Sequence, residues 1–102
     1  MKEITVEQHL VGEFKRHFPD AQIHKYEIRR GEPDRICLLP KGVVLFIETK
    51  RPGEDLRKAQ QRAFNRLKLL GFECFMCDTK GKVDLLISYI GMKFYAADNA
   101  LF

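Results

Sequence analysis

Asp34 and Glu48 stand fourteen residues apart, and Lys50 follows the second acid in the block Glu48-Thr49-Lys50. Two carboxylates and an ammonium, if brought together, make a place for one hard divalent cation. Mg²⁺ takes oxygen ligands, and is typically held by one or two carboxylates, water and substrate phosphate. Held there, the cation polarises a phosphoryl oxygen and lowers the pKa of an attacking water. The ammonium would position or help deprotonate that water and offset the charge that grows on phosphate. Glu-x-Lys alone more often marks a solvated strand end before a Pro-Gly turn. Pro33-Asp34 and Glu48-x-Lys50 taken together, with a hairpin between them, are far more specific.

That hairpin is legible. Residues 36–39 (ICLL) and 43–47 (VVLFI) are short apolar runs around Pro40-Lys41-Gly42, the pattern of two antiparallel strands joined by a tight turn. With Leu39 opposite Val43, paired numbers keep a constant sum along the ladder, and Asp34 falls opposite Glu48. Their Cβ atoms would lie roughly 4.5–5.5 Å apart on one face. Lys50 shares that face because side chains alternate along a strand. A two-residue loop would break this register. Two facing carboxylates repel each other, a conflict that a bound cation removes.

Other elements must hold the hairpin. Thr5 followed by Gln8 is a capping-box signature for a helix ending near Phe18, before Pro19-Asp20. Glu7, Val11, Phe14 and Phe18 follow one helical stripe, which sets Glu7 at the rim of the core within reach of the cation. Glu3 and Glu13 are alternatives, and the plain role of Glu7 is a favourable first-turn charge. His24, Tyr26 and Ile28 alternate with Lys25, Glu27 and Arg29, as in a strand with one buried face. After Pro52-Gly53, Glu54-Asp55 announce a helix over residues 56–70, closed by Gly71. Leu56, Ala59, Ala63, Leu67 and Leu70 would form its buried side, with Gln60 beside it and Gln61 turned to solvent. Residues 72–77 read as a strand. Val83, Leu86, Ile87 and Ile90 have helical spacing, although the run is apolar enough for a strand. Both faces of 43–47 are apolar, as in a strand covered on both sides. The expected fold is α/β: a single domain over residues 1–102, with a mixed sheet of about four strands and helices on both faces.

From Glu3 to about Asp84 the chain resembles the PD-(D/E)xK nuclease superfamily and, within it, the compact virus-type replication-repair nuclease (VRR-NUC) family. The resemblance is carried by EITVEQHLVGEF, RRGEPDRICLLPKGVVLFIETKRPGEDLRKAQ, RLKLLGFECFMCDT and KVDLL. It implies a restriction-endonuclease-like core and a Mg²⁺- or Mn²⁺-dependent endonuclease acting on DNA, some members resembling junction resolvases. Matched by position, Asp34 and Glu48 are metal ligands, with Thr49 and Glu7 completing the set. Lys50 is the catalytic lysine, Glu7 the first-helix acid and Gln60 the glutamine of the following helix, with Gln61 as its alternative.

Composition agrees with a polyanionic partner: 18 Lys and Arg face 14 Asp and Glu, a formal net charge of +4 and a pI near 9.1. Arg29, Arg30 and Arg35 flank the Asp34 end, and Arg51, Arg57 and Lys58 follow Lys50, a possible phosphate-backbone track without base readout. Arg62, Arg66 and Lys68 continue the charged helix face, which is more usually just solvated. Cys37, Cys74 and Cys77 are odd in number and lack a second pair, so they read as buried reduced thiols, with Cys74 and Cys77 on opposite faces of a strand. His9, His17 and His24 have no ligand spacing. No apolar run approaches the ~20 residues of a membrane span, and no signal-peptide core is present. A cytoplasmic protein with no membrane or small-molecule cofactor is expected. The substrate expected is branched or four-way (Holliday) junction DNA, cut by a homodimer. Ala96, Ala97, Ala100, Leu101 and Phe102 are a candidate dimer contact, or a tail folded onto its own core. The alternatives are a nuclease for RNA or linear ends, and a non-cleaving binding module. A pure binder would gain nothing from paired acids that repel phosphate.

Overall fold

The computed structural model describes residues 3–26 and 29–95. In chain order these form α1 (Val6–His17), β1 (Gln22–Lys25), β2 (Arg35–Leu39), a 3-10 turn (Pro40–Gly42), β3 (Val43–Thr49), α2 (Lys58–Leu69), β4 (Glu73–Cys77) and α3 (Lys80–Phe94). The apolar tail proposed as a dimer contact lies outside the described residues, as do Glu27 and Ile28.

The hairpin has the register the loop length implies, from Leu39 opposite Val43 to Arg35 opposite Ile47. Its turn works because Lys41 (φ 67°) and Gly42 (φ 75°) both take left-handed backbone, a conformation nearly free for glycine. β1 pairs antiparallel with β2, and β4 lies parallel to β3 with α2 as the crossover, giving the order β1-β2-β3-β4. The sheet is mixed and helices cover both faces, an α/β fold.

Alternation along β3 feeds two cores. Leu45 and Ile47 point to α1 and α3 and pack with Leu10, Phe14, Val83 and Ile90, while Phe46 points to α2 and packs with Phe64, Leu67 and Cys74. Cys74 and Cys77 fall in different cores, as odd spacing requires. All three cysteines are free and buried, and burial pushes the Cys37 thiol up to about 12 and that of Cys77 to about 11, so they are protonated and inert.

Three expectations need correction. The buried stripe of α1 is Val6, Leu10, Phe14 and Phe18; Val11 is only partly buried and Glu7 sits one position off, on the flank. In β1 the anchored residue is Ile23, opposite Cys37, whereas His24 is exposed and bonded to Gln22. α2 starts two residues late because Arg57 is still extended (ψ 162°), and it buries Gln60, Ala63, Phe64 and Leu67. Leu70, at the helix end, is 73% exposed. Residues 80–94 are helical, with Val83, Leu86, Ile87 and Ile90 buried. Among the described residues no helix is long and apolar enough to cross a membrane.

Candidate active site

The open end of the hairpin coincides with the carboxyl ends of β3 and β4, where open α/β sheets commonly bind ligands. One step beyond the last β2–β3 pair, the Asp34 N–H donates to Glu48 Oε1 at 3.1 Å. Glu48 is buried, and its Oε2 accepts from Gln60 Nε2 at 3.1 Å. Gln60 in turn accepts the Arg57 N–H at 2.9 Å, so one side chain both starts α2 and steers the acid. Gln61 is exposed. Lys50 Nζ stands 3.9 Å from Glu48 Oε2 on a side chain only 8% exposed, close enough to balance charge but not to hydrogen-bond. The Thr49 hydroxyl donates to Asp34 Oδ2 at 3.3 Å.

Asp34 Oδ1 is buried and has no hydrogen-bond partner. The electrostatics match that orphan. Burial, then the charge of Asp34, push the Glu48 carboxyl up to about 7. Burial, then Glu7, push Asp34 upward as well, against the Thr49 hydrogen bond. Buried Glu48 and partly buried Asp34, with one free acceptor between them, resist ionising together even with Lys50, Arg35 and Arg57 near. Their hard oxygen donors fit a hard divalent cation.

The remaining candidates are placed unequally. Glu7 is at the margin: near enough to raise the pKa of Asp34, but paired with Arg35, whose Nη2 lies 3.3 Å from Glu7 Oε2. Arg35 is thereby turned inward, only 13% exposed, and is not presented to a polyanion, contrary to its sequence assignment. Arg29, Arg30 and Arg57 are exposed and line a cleft of about 510 Å³ together with Asp34, Glu48 and Gln60. Lys58 is exposed on the first turn of α2. Arg51 is exposed too, in a second cleft of about 580 Å³ shared with Glu7, Thr49 and Lys50. Sequence reading missed Glu32, whose Oε2 is buried without a partner in the first cleft. Its neighbour Pro33 was noted, but no spacing rule marks Glu32. It also missed a tighter set of potential ligands made by α1 and α3: His9, Glu13 and Asp84, with donor atoms within 4.8 Å of one another. Residues 75 positions apart in sequence leave no local signal for it.

Comparison with known proteins adds an independent line. No family model matches the chain. A relative named "Putative nuclease p44", from Acyrthosiphon pisum secondary endosymbiont phage 1, is 35% identical over 86 residues, which cover 84% of this chain and 92% of that protein. A solved structure titled "VRR_NUC domain" has a TM-score of 0.68 at 28% identity, covering 90% of this chain and 100% of that one. The chain belongs to the VRR-NUC family. In this VRR-NUC chain the acids, the lysine and the glutamine converge at one end of the sheet.

Proposed function

We propose that this chain is a Mg²⁺- or Mn²⁺-dependent endonuclease that hydrolyses DNA phosphodiesters, with branched DNA as its substrate. The observation that carries this reading is the pocket itself, in which Asp34 and Glu48 share buried space, one acceptor is orphaned, and Lys50 stands beside them. The family membership and the relative named as a nuclease support it.

Asp34 and Glu48 would hold the cation, with Thr49 and Glu7 at its margin. When bound, it supplies Lewis-acid polarisation of the phosphate and a more acidic water. The chain's own groups then have separate tasks. Thr49 fixes Asp34, and Gln60 fixes Glu48, so neither carboxylate must reorganise during turnover. Lys50, held on a largely buried stem, would orient the attacking water and meet the negative charge that develops on the phosphoryl oxygens. Arg29, Arg30 and Arg57 would contact flanking phosphates, with Arg51 and Lys58 further along the track. The described residues provide one such pocket per chain. Cutting both strands of a junction in concert would therefore require a second copy, and a symmetric homodimer is the simplest form.

The test is incubation of the purified protein with labelled duplex, single-stranded, flapped and four-way DNA, in Mg²⁺, in Mn²⁺ and in chelator. Metal-dependent cutting that Asp34→Ala and Lys50→Ala abolish, with DNA binding largely retained, is the expected result. Equal binding by all three proteins with no cutting of any substrate would mean a binding module.

A further inference from the structure

Gly31 packs against α2 so closely that a side chain there would be crowded more tightly than nine in ten are. Its φ is +86°, and a Cβ built on it would meet the Ala59 carbonyl oxygen at 3.0 Å, its carbon at 3.1 Å and the Ala59 Cβ at 3.2 Å. Two of those three atoms are helix backbone, which cannot swing aside. By contrast Gly42, also at positive φ, has nothing within 4 Å of such a Cβ. Gly31 thus meets two separate demands, left-handed backbone and close approach.

This contact joins two segments that bear arginines. On one side, Arg29 and Arg30 precede Gly31 in a turn closed by the Glu32 N–H donating to the Arg29 carbonyl at 3.2 Å. On the other, Ala59 lies between Arg57 at the helix N-cap and Gln60, which binds Glu48. All three arginines are exposed in the cleft that Asp34 and Glu48 also line. The three guanidiniums stand beside the carboxylates of Glu32, Asp34 and Glu48, and no ion pair is seen for them among the described residues. A stretch of sugar-phosphate backbone, bidentate to guanidiniums, is the polyanion that matches them.

We propose that Gly31 is a positioning residue: its contact with Ala59 locks the Arg29-Arg30 turn onto the first turn of α2, so that Arg29, Arg30 and Arg57 act as one clamp on the sugar-phosphate backbone beside the acid pocket. The proposal rests on the nuclease reading only for the identity of the polyanion. A side chain at position 31 would push the turn off the helix and open the clamp, leaving the carboxylates paired.

Binding of labelled duplex, measured by fluorescence anisotropy in chelator over a range of salt, tests the clamp separately from catalysis. Gly31→Ala should weaken binding about tenfold and flatten the slope of log affinity against log salt by roughly 1.8, the loss of two phosphate contacts. Arg29→Ala/Arg30→Ala should do the same, and adding Gly31→Ala to it should change nothing further. Gly42→Ala, strained in φ without crowding, should bind as wild type. Ala59→Val presses on the same contact from the helix side and leaves the position-31 backbone unstrained, so it carries the test if Gly31→Ala does not fold. At saturating DNA the single-turnover cleavage rate of Gly31→Ala and of Ala59→Val should stay within about threefold of wild type. Wild-type binding by both Gly31→Ala and Ala59→Val would overturn the proposal. So would losses that multiply with those of the arginine variant, or a collapse of the cleavage rate with binding intact, which would place the role of Gly31 at Asp34. If wild type cuts nothing yet the binding pattern holds, the clamp stands and the nuclease reading falls.

Discussion

The chain has two groups of potential cation ligands, and it treats them in opposite ways. His9, Glu13 and Asp84 lie at the margin between α1 and α3, where each side chain already has a partner: His9 Nε2 is 2.8 Å from Asp84 Oδ1, and Arg16 Nη2 is 2.7 Å from Glu13 Oε2. At the hairpin end Glu48 is buried and Asp34 partly so, one oxygen has no partner and Glu48 resists ionising until about pH 7. The first group has close spacing and satisfied partners, and the second has a free acceptor and carboxyls that resist ionising. Spacing alone is therefore a poor marker of a cation site. A carboxyl that burial keeps from ionising is the better one, because above its raised pKa only a bound cation can relieve it.

The largest effects should separate the groups outright. Asp34→Asn and Lys50→Met should each lower single-turnover cleavage by on the order of 10²–10³-fold, the scale for losing one preorganised charge at a reacting centre. Without metal, Asp34→Asn should also raise the melting temperature at pH 8 by about 4–8 °C, the shift that 1 kcal/mol produces in a domain of this size. A fall would mean the two acids do not oppose each other.

The next effect is a matter of sign. Glu48 ionises near 4.5 when unfolded and near 7 when folded, so between those values the folded chain binds the extra proton. The contribution of Glu48 to metal-free stability should thus be most favourable below about pH 4.5, decline as pH rises toward 7, and then level off. Saturating Mg²⁺ should oppose that decline, since the cation binds the ionised carboxylates. Melting curves across pH with and without Mg²⁺ check both statements. The smallest effect belongs to the first group: Asp84→Ala should alter stability by less than about 1 kcal/mol, as for an exposed ion pair, and leave cleavage unchanged.

What could be seen in the sequence follows from range. A three-residue loop fixes a hairpin register by counting, so Asp34 opposite Glu48 was available before any coordinates. Gln60 was legible over Gln61 because helical phase needs only neighbouring residues. The phase of α1 was misjudged because Val6 and Leu10 serve the same core as Phe14, and a stripe through Glu7 and Val11 fits the period almost as well. Arg35 was misassigned because its partner Glu7 sits 28 residues away. The close approach of Gly31 to Ala59 is likewise a tertiary fact, written in the sequence only as a glycine among charges.

The most direct measurement is calorimetric titration of Mn²⁺ into metal-free protein at pH 8, where Glu48 is ionised. Wild type and Asp84→Ala should bind alike, while Asp34→Ala and Glu48→Ala lose the binding. Unchanged Mn²⁺ binding in both hairpin variants, or its loss in Asp84→Ala alone, would contradict the assignment of the cation to the end of the β2–β3 hairpin.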